Sequence, residues 1–138
     1  NVRMGDPETE AVLPRIESDL LTALHDAASH NLSDTSNLKF SNKSAATVVL
    51  VADGYPEGYK KGMEIKGVDE VSESIVFHAG TKAENDTLKS NGGRVLAITS
   101  LAPSLEQALE QSYQSADKIS FEGKSLRKDI GYDLVKRS

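Results

Sequence analysis

Apolar positions in the first thirty residues recur every three or four places, at Leu13, Ile16, Leu20, Leu24 and Ala27. That spacing puts them on one face of a helix. Asp6-Pro7-Glu8 reads as the helix start: an acid at the N-cap, proline at the first helical position and a second acid in the first turn. Pro14 lies inside the span, so the pattern predicts a kink or two abutting helices, with Ser18 capping the second. The periodicity fades near Ser29-His30-Asn31, and residues 31–44 are the most loop-like stretch, the natural boundary between two parts.

The period then changes. Ala46-Thr47-Val48-Val49-Leu50-Val51-Ala52 is a short, continuous, β-branched run, which predicts a strand covered on both faces. Beyond the turn residues Gly54 to Gly62, Met63 and Ile65 alternate with Glu64 and Lys66 as in a half-buried strand, and Ile75-Val76-Phe77 reads as another. Asn91-Gly92 is a tight-turn signal, predicted to join a short strand at 86–90 to Arg94–Thr99. Ser104-Leu105-Glu106-Gln107 is a capping box opening a helix with Leu105, Ala108, Leu109, Ala116 and Ile119 on its inner face. A last short strand is expected at Asp129–Val135. The order of helix, four or five strands, helix and strand predicts an α+β fold with a mainly antiparallel sheet.

The chain has 138 residues, 38% hydrophobic and 27% charged, enough for one domain burying roughly two-thirds of its extended surface. It has no cysteine, which removes disulfides, thiolate metal sites and cysteine nucleophiles. A net charge of −5 argues against a general nucleic-acid binder. No apolar run approaches a membrane span and no signal peptide is recognisable; a cytoplasmic location is the expectation. There is no internal repeat or low-complexity tract. Acids crowd residues 1–26 and bases crowd 124–138, a complementarity that would help the two ends meet, although solvated surfaces are commonly uneven. The first residue is not Met, and the chain reads as though cut from something longer.

The segment with most candidate chemistry is Asn1-Val2-Arg3-Met4-Gly5-Asp6-Pro7-Glu8. Asn1 offers an amide oxygen, a ligand type suited to Mg²⁺. Arg3 lies two residues on, on the same side of an extended chain, and can grip a phosphate with paired hydrogen bonds. Asp6 and Glu8 suit an amine or sugar hydroxyls. Capping is the simpler role for Asp6, and an Arg3–Asp6 ion pair is equally ordinary. Gly54-Tyr55-Pro56 with Tyr59-Lys60-Lys61-Gly62 is a phosphate-touching loop or merely a turn. His78 stands at a strand end with the hydroxyl of Thr81 three residues later; without a matching nucleophile it reads as structural. His25 and His30 have no metal-ligand spacing, and His30 most simply complements a helix C-terminus. Asn91-Gly92-Gly93-Arg94 is an anion nest or a hairpin turn.

Together these segments resemble the C-terminal region of the phosphoribosylamine–glycine ligases (glycinamide ribonucleotide synthetases), which belong to the ATP-grasp superfamily. The resemblance is carried in order by Asn1–Thr9, Leu13-Pro14-Arg15, Ser18-Asp19-Leu20, Thr47-Val48-Val49, Gly54-Tyr55-Pro56, Tyr59, Lys61-Gly62, Val76–Thr81, Asn91–Leu96 and Arg127-Lys128-Asp129-Ile130-Gly131. Phe40 stands where many members place Trp, and Leu126 where an aromatic is common; both are packing positions.

The resemblance implies ATP-dependent joining of glycine to 5-phosphoribosylamine through glycyl phosphate, the second step of de novo purine synthesis, with Mg²⁺ or Mn²⁺. It implies that Asn1 is a metal ligand, that Arg3 steadies charge at the phosphates as the catalytic cation, and that Asp6 and Glu8 face the substrates. It further implies that residues 1–30 end an ATP-grasp domain, that 31–44 are a linker, and that 45–138 form the small C-terminal domain. The partner metal ligand, a Glu, would precede Asn1 by two residues. On this reading the chain needs the upstream portion of the same enzyme as its partner and is inactive alone; neither nucleic acid nor membrane is expected. The alternatives are a non-catalytic binding module retaining the same domain, or another ATP-grasp ligase such as a carboxylase.

Overall fold

The structure, a computed structural model, describes residues 3–31 and 38–135. The elements run α1 (Glu8–Val12), a 3₁₀ turn (Leu13–Arg15), α2 (Leu20–Ala28), β1 (Ser44–Ala52), a second 3₁₀ turn (Val68–Glu70), β2 (Ile75–His78), β3 (Thr81–Glu84), β4 (Thr87–Ser90), β5 (Arg94–Ala102), α3 (Leu105–Lys118), β6 (Lys124–Ser125) and α4 (Tyr132–Val135). β1, β2, β5 and β6 make one antiparallel sheet in the order β2-β5-β1-β6, and β3 and β4 form a separate hairpin. The expected α+β class with a mainly antiparallel sheet is thus the architecture of the protein.

The two longest strands form the centre. β1 and β5 pair from Ser44↔Ala102 to Leu50↔Leu96, with a register shift at Val51. Val48, Leu50, Leu96, Ile98 and Ile119 are all inaccessible to solvent, and with Ala116 and Phe121 they make the main core under α3. β1 alternates buried and half-buried positions, so its second face is only partly covered, by α1. α3 begins as expected, the Ser104 hydroxyl accepting from the Gln107 N–H at 3.3 Å. Its inner face carries hydroxyls as well as hydrocarbon. Ser112 Oγ donates to the Ala46 carbonyl at 2.9 Å, Ser100 Oγ lies 2.9 Å from it, and Ser74 bridges Ser100 and Ser115 at 2.7 and 2.6 Å. Buried hydroxyls need such partners.

Pro14 does divide two helices, but the caps differ from expectation. Asp19, not Ser18, caps α2, accepting from the backbone N–H groups of Leu21 and Thr22. Ser18 Oγ instead accepts from the Lys39 N–H at 2.6 Å. Asp6 does not cap α1: the N-cap is Pro7, without a side-chain bond. His30 takes the left-handed position after α2 (φ 55°). Its N–H donates to the Ala27 carbonyl and the Asn31 N–H to the Asp26 carbonyl, which closes the helix as a Schellman turn.

Three strand expectations are corrected. The hairpin turn is Asn85-Asp86, both with positive φ, joining β3 to β4. A two-residue turn of that hand matches strand twist, and it leaves Asn91-Gly92 as a crossing between sheets. Residues 63–66 alternate in exposure as expected yet form only isolated bridges, Glu64↔Lys89 and Lys66↔Ser120, because successive residues face different partners. The expected strand at 129–135 is instead the short α4. The Tyr113 hydroxyl donates to the Arg127 carbonyl and accepts from the Ile130 N–H, and the Leu134 and Val135 N–H groups both reach the Gly131 carbonyl. These local bonds take the backbone groups a ladder would have used.

Among the described residues, no ion pair joins 3–26 to 124–135.

Candidate functional site

The half-covered face of the sheet carries a cleft of about 340 Å³. Its floor is Val49 of β1 and Ala97 of β5. One wall is the start of α1 with Asp6, Pro7 and Glu10; the opposite walls are Tyr55 and Tyr59, and the Ala79-Gly80 and Gly93-Arg94 backbones. Four segments far apart in the chain meet here.

Close backbone approach makes this convergence possible. The Gly80 N–H donates to the Arg94 carbonyl at 2.8 Å and the Asn91 N–H to the Gly80 carbonyl at 2.7 Å. A Cβ on Gly80 would fall 2.5 Å from the Gly92 Cα, well inside contact distance. Gly93 is packed under the aromatic wall: a Cβ there would lie 2.1 Å from Tyr55 Cδ2 and 2.9 Å from Tyr59 Cε1. The two rings are tilted at 53° with centroids 6.1 Å apart, within the separation over which aromatic pairs attract. Lys61 Nζ stands 5.9 Å above the Tyr59 ring, a cation–π arrangement.

Asp6 and Arg94 close one end of the cleft. Their ion pair is 2.7 Å long, with 60% and 39% of the respective side chains exposed. Asp6 lies one residue before the N-cap Pro7, and its carboxylate is taken by Arg94 instead of the helix N–H groups. The pair expected between Arg3 and Asp6 is therefore not formed. Arg3 is exposed and makes no ion pair among the described residues. Glu8 is exposed, and its Oε1 accepts from the Gly5 N–H at 3.0 Å; it is not among the residues lining the cleft. Asn1 lies outside the described residues. Of the candidate site residues, the structure thus brings Asp6 alone to the cleft, and with it Tyr55, Tyr59, Gly93 and Arg94 from the loop segments.

Glu10 was not among the sequence-derived candidates, although it precedes Leu13 by three and so sits on the apolar stripe of the first helix, where a charged residue stands out. Its backbone carbonyl accepts from Thr99 Oγ1 at 2.9 Å, and Thr47 Oγ1 lies 2.7 Å from Thr99 Oγ1. One hydroxyl has one hydrogen, so Thr47 donates to Thr99 and Thr99 to Glu10. The side chain is less well provided for: Oε2 is buried and has no hydrogen-bond partner. An unsatisfied buried acceptor costs about 1–3 kcal/mol.

The other segments have structural roles. His78 Nδ1 and Thr81 Oγ1 are 3.1 Å apart, the strand-end pairing their spacing suggests. Glu84 on the hairpin is paired with Lys89 at 2.8 Å and Lys82 at 3.3 Å, and the hydrogen bond from Lys89 leads in holding its carboxyl below the ordinary range. Arg127 grips Asp129 with two bonds of 2.9 and 2.8 Å, which lowers the Asp129 pKa and raises that of Arg127. No group of three His, Cys, Asp or Glu side chains able to hold a metal ion exists among the described residues. Those residues therefore do not fit a self-contained divalent-ion site. No described helix is long and apolar enough to cross a membrane.

Comparison with known proteins adds four findings. Residues 45–133 match the family model for the phosphoribosylglycinamide synthetase C domain. The chain is 44% identical over 135 residues to the phosphoribosylamine–glycine ligase of Fusobacterium nucleatum, covering 95% of this chain and 32% of that protein. It is also 44% identical over 137 residues to a bifunctional purine biosynthetic protein of Pichia angusta, covering 99% of this chain and 17% of that one. The crystal structure of the phosphoribosylamine–glycine ligase from Thermotoga maritima superposes with a TM-score of 0.81 at 35% identity, over 94% of this chain and 32% of that chain. The chain thus spans about a third of the length of these single-function relatives.

Proposed function

The chain belongs to the phosphoribosylglycinamide synthetase C-domain family, and from that premise we propose that it works as the C-terminal part of a phosphoribosylamine–glycine ligase in purine biosynthesis. The observation that carries this reading is the convergence at the cleft. Asp6 and Glu10 from the N-terminal helical part meet Tyr55, Tyr59 and Arg94 from the family-matched part. A site assembled from both parts suits a closing wall of a larger active centre better than an independent module. Leu21 and Leu24 of α2, 76% and 59% exposed, support the same view, since an apolar helix face of this kind calls for a covering body.

In this reading the complete enzyme joins glycine to 5-phosphoribosylamine at the expense of ATP, by way of glycyl phosphate. Binding of ATP and of Mg²⁺ or Mn²⁺ belongs to the upstream portion together with Asn1. Arg3, placed just after Asn1, neutralises charge building on the phosphates as the glycine carboxylate attacks. Asp6, held in the cleft by Arg94, faces the substrates; the substrate-facing role that the resemblance implies for Glu8 is not supported by its place on the outer side of the same turn, where it accepts from the Gly5 N–H. The contribution of the family-matched part is a wall over the amine's approach, which keeps water from a hydrolysable acyl phosphate. The 45–133 unit follows the helical segment as the small C-terminal domain, with 31–44 as the connection.

Mixing decides the matter. The 138-residue chain alone, supplied with ATP, glycine and 5-phosphoribosylamine, is expected to give no glycinamide ribonucleotide; adding the separately produced upstream portion restores it. Product from the isolated chain would contradict the reading.

A further inference from the structure

We propose that Glu10 is the cleft's ligand-engaging carboxyl, accepting hydrogen bonds from the hydroxyl or ammonium groups of a sugar-amine lying against Tyr55 and Tyr59. The inference rests on the ligase reading and deepens it by assigning the cleft to the amine substrate, leaving ATP and glycine to other parts of the enzyme.

Charge is the first reason. The other two ionisable groups at that end of the cleft, Asp6 and Arg94, satisfy each other at 2.7 Å. Among the described residues Glu10 has neither an ion pair nor a side-chain hydrogen bond, and its Oε2 is an orphaned acceptor. With Asp6 and Arg94 paired, the Glu10 carboxyl is the uncompensated acid of the cleft lining, and it favours a group that donates to it over a bare anion. A cation alone is a poorer match, because the described residues supply no further set of metal ligands.

Anchoring is the second. Thr99 fixes the Glu10 carbonyl to the sheet, so the backbone stays in place while the carboxyl turns about its loosely constrained terminal torsion. A ligand that draws the carboxyl outward supplies the missing donor and relieves an existing penalty. Shape is the third. A volume of about 340 Å³ falls at the small-molecule end of binding sites, and two tilted aromatic rings offer faces to the C–H groups of a furanose or to an ammonium. Glu8 is turned to its own Gly5, so the carboxyl that meets the ligand from this helix face is Glu10.

The test measures KM separately for ATP, glycine and 5-phosphoribosylamine in the complete polypeptide carrying Glu10→Met or Glu10→Gln, with a thermal midpoint for each. Glu10→Met is expected to raise KM for the sugar-amine about tenfold, the size of one lost charge-assisted hydrogen bond. The KM values for ATP and glycine stay unchanged, and the midpoint rises because the orphaned acceptor is gone. Glu10→Gln, which keeps an amide oxygen, shows a smaller rise in the same KM alone. Unchanged KM values, or three KM values rising together with a lower midpoint, would overturn the proposal while leaving the ligase reading intact. A wild-type polypeptide without glycine-dependent product would remove the reading itself and the proposal with it. Should Glu10→Met fail to fold, the Glu10→Gln ratio of KM changes between substrates decides.

Discussion

Replacing Gly93 with alanine should wedge the aromatic wall away from the sheet. The new methyl would lie 2.1 Å from Tyr55 Cδ2, 2.8 Å from its Cε2 and 2.9 Å from Tyr59 Cε1, where carbon pairs rest at about 3.5–4.0 Å. Tyr55 must retreat by roughly 1.5 Å to restore contact distance, an overpacking strain of about 1–3 kcal/mol. Tyr55→Ala alone should cost about 1 kcal/mol, because the residue is already 40% exposed and loses chiefly its tilted contact with Tyr59, a pairing of about 0.5–1.5 kcal/mol. The double variant removes the principal clash together with the ring. Its destabilisation should therefore fall short of the sum of the singles by at least about 1 kcal/mol. Urea unfolding followed by circular dichroism gives the four free energies. Additivity within about 0.5 kcal/mol would show that Gly93 and Tyr55 do not press on each other, and would refute the packing on which the cleft wall depends.

Four further outcomes are expected. Asp6→Asn, breaking an exposed pair with Arg94, should cost under about 1 kcal/mol, and denaturation in high salt should erase the difference. Ser112→Ala leaves the Ala46 carbonyl short of its buried donor and should cost about 1–3 kcal/mol in the same urea assay. The Asp19 pKa is lowered by hydrogen bonds from the Thr22 side chain, the Thr22 N–H and the Leu21 N–H. Its contribution is thus full above the ordinary carboxylate value and lost as pH falls through the lowered one; far-UV circular dichroism should show α2 fraying on acidification, and Asp19→Ala should remove that step. Glu84 follows the same sign through its bond from Lys89, so amide protection factors in the β3–β4 hairpin, corrected for the intrinsic exchange rate at each pH, should fall in acid, while Glu84→Gln should show the reduced protection at every pH.

The elements legible in the sequence are those whose signal is local and periodic. β1, β5 and α3 follow from a continuous apolar run, a second one and a capping box, and Pro14 marks the break between α1 and α2. What escaped was set by partners distant in sequence. Asn91-Gly92 has the composition of a hairpin turn, but the backbone of Gly80 crosses it, while Asn85-Asp86 closes the hairpin with two positive-φ residues. Asp6 has the chemistry of a cap and is claimed instead by an arginine 88 residues away. The 129–135 segment alternates like a strand until the Tyr113 hydroxyl and the Gly131 carbonyl take its backbone groups. At the cleft, the sequence marks Asp6 as a candidate, but Tyr55, Tyr59 and Arg94 lie in segments that read equally as turns, and no local rule says that their side chains meet. Glu10 could have been noticed as an acid on the apolar stripe, three residues before Leu13; that its Oε2 lacks a partner is a fact of three dimensions.

The most direct test is product formation by the complete polypeptide with and without residues 45–138. With ATP, glycine and 5-phosphoribosylamine, the intact protein should release glycinamide ribonucleotide and ADP in equal amounts, and the shortened protein should release neither above background. Equal turnover by both, or no product from the intact protein, would contradict the account.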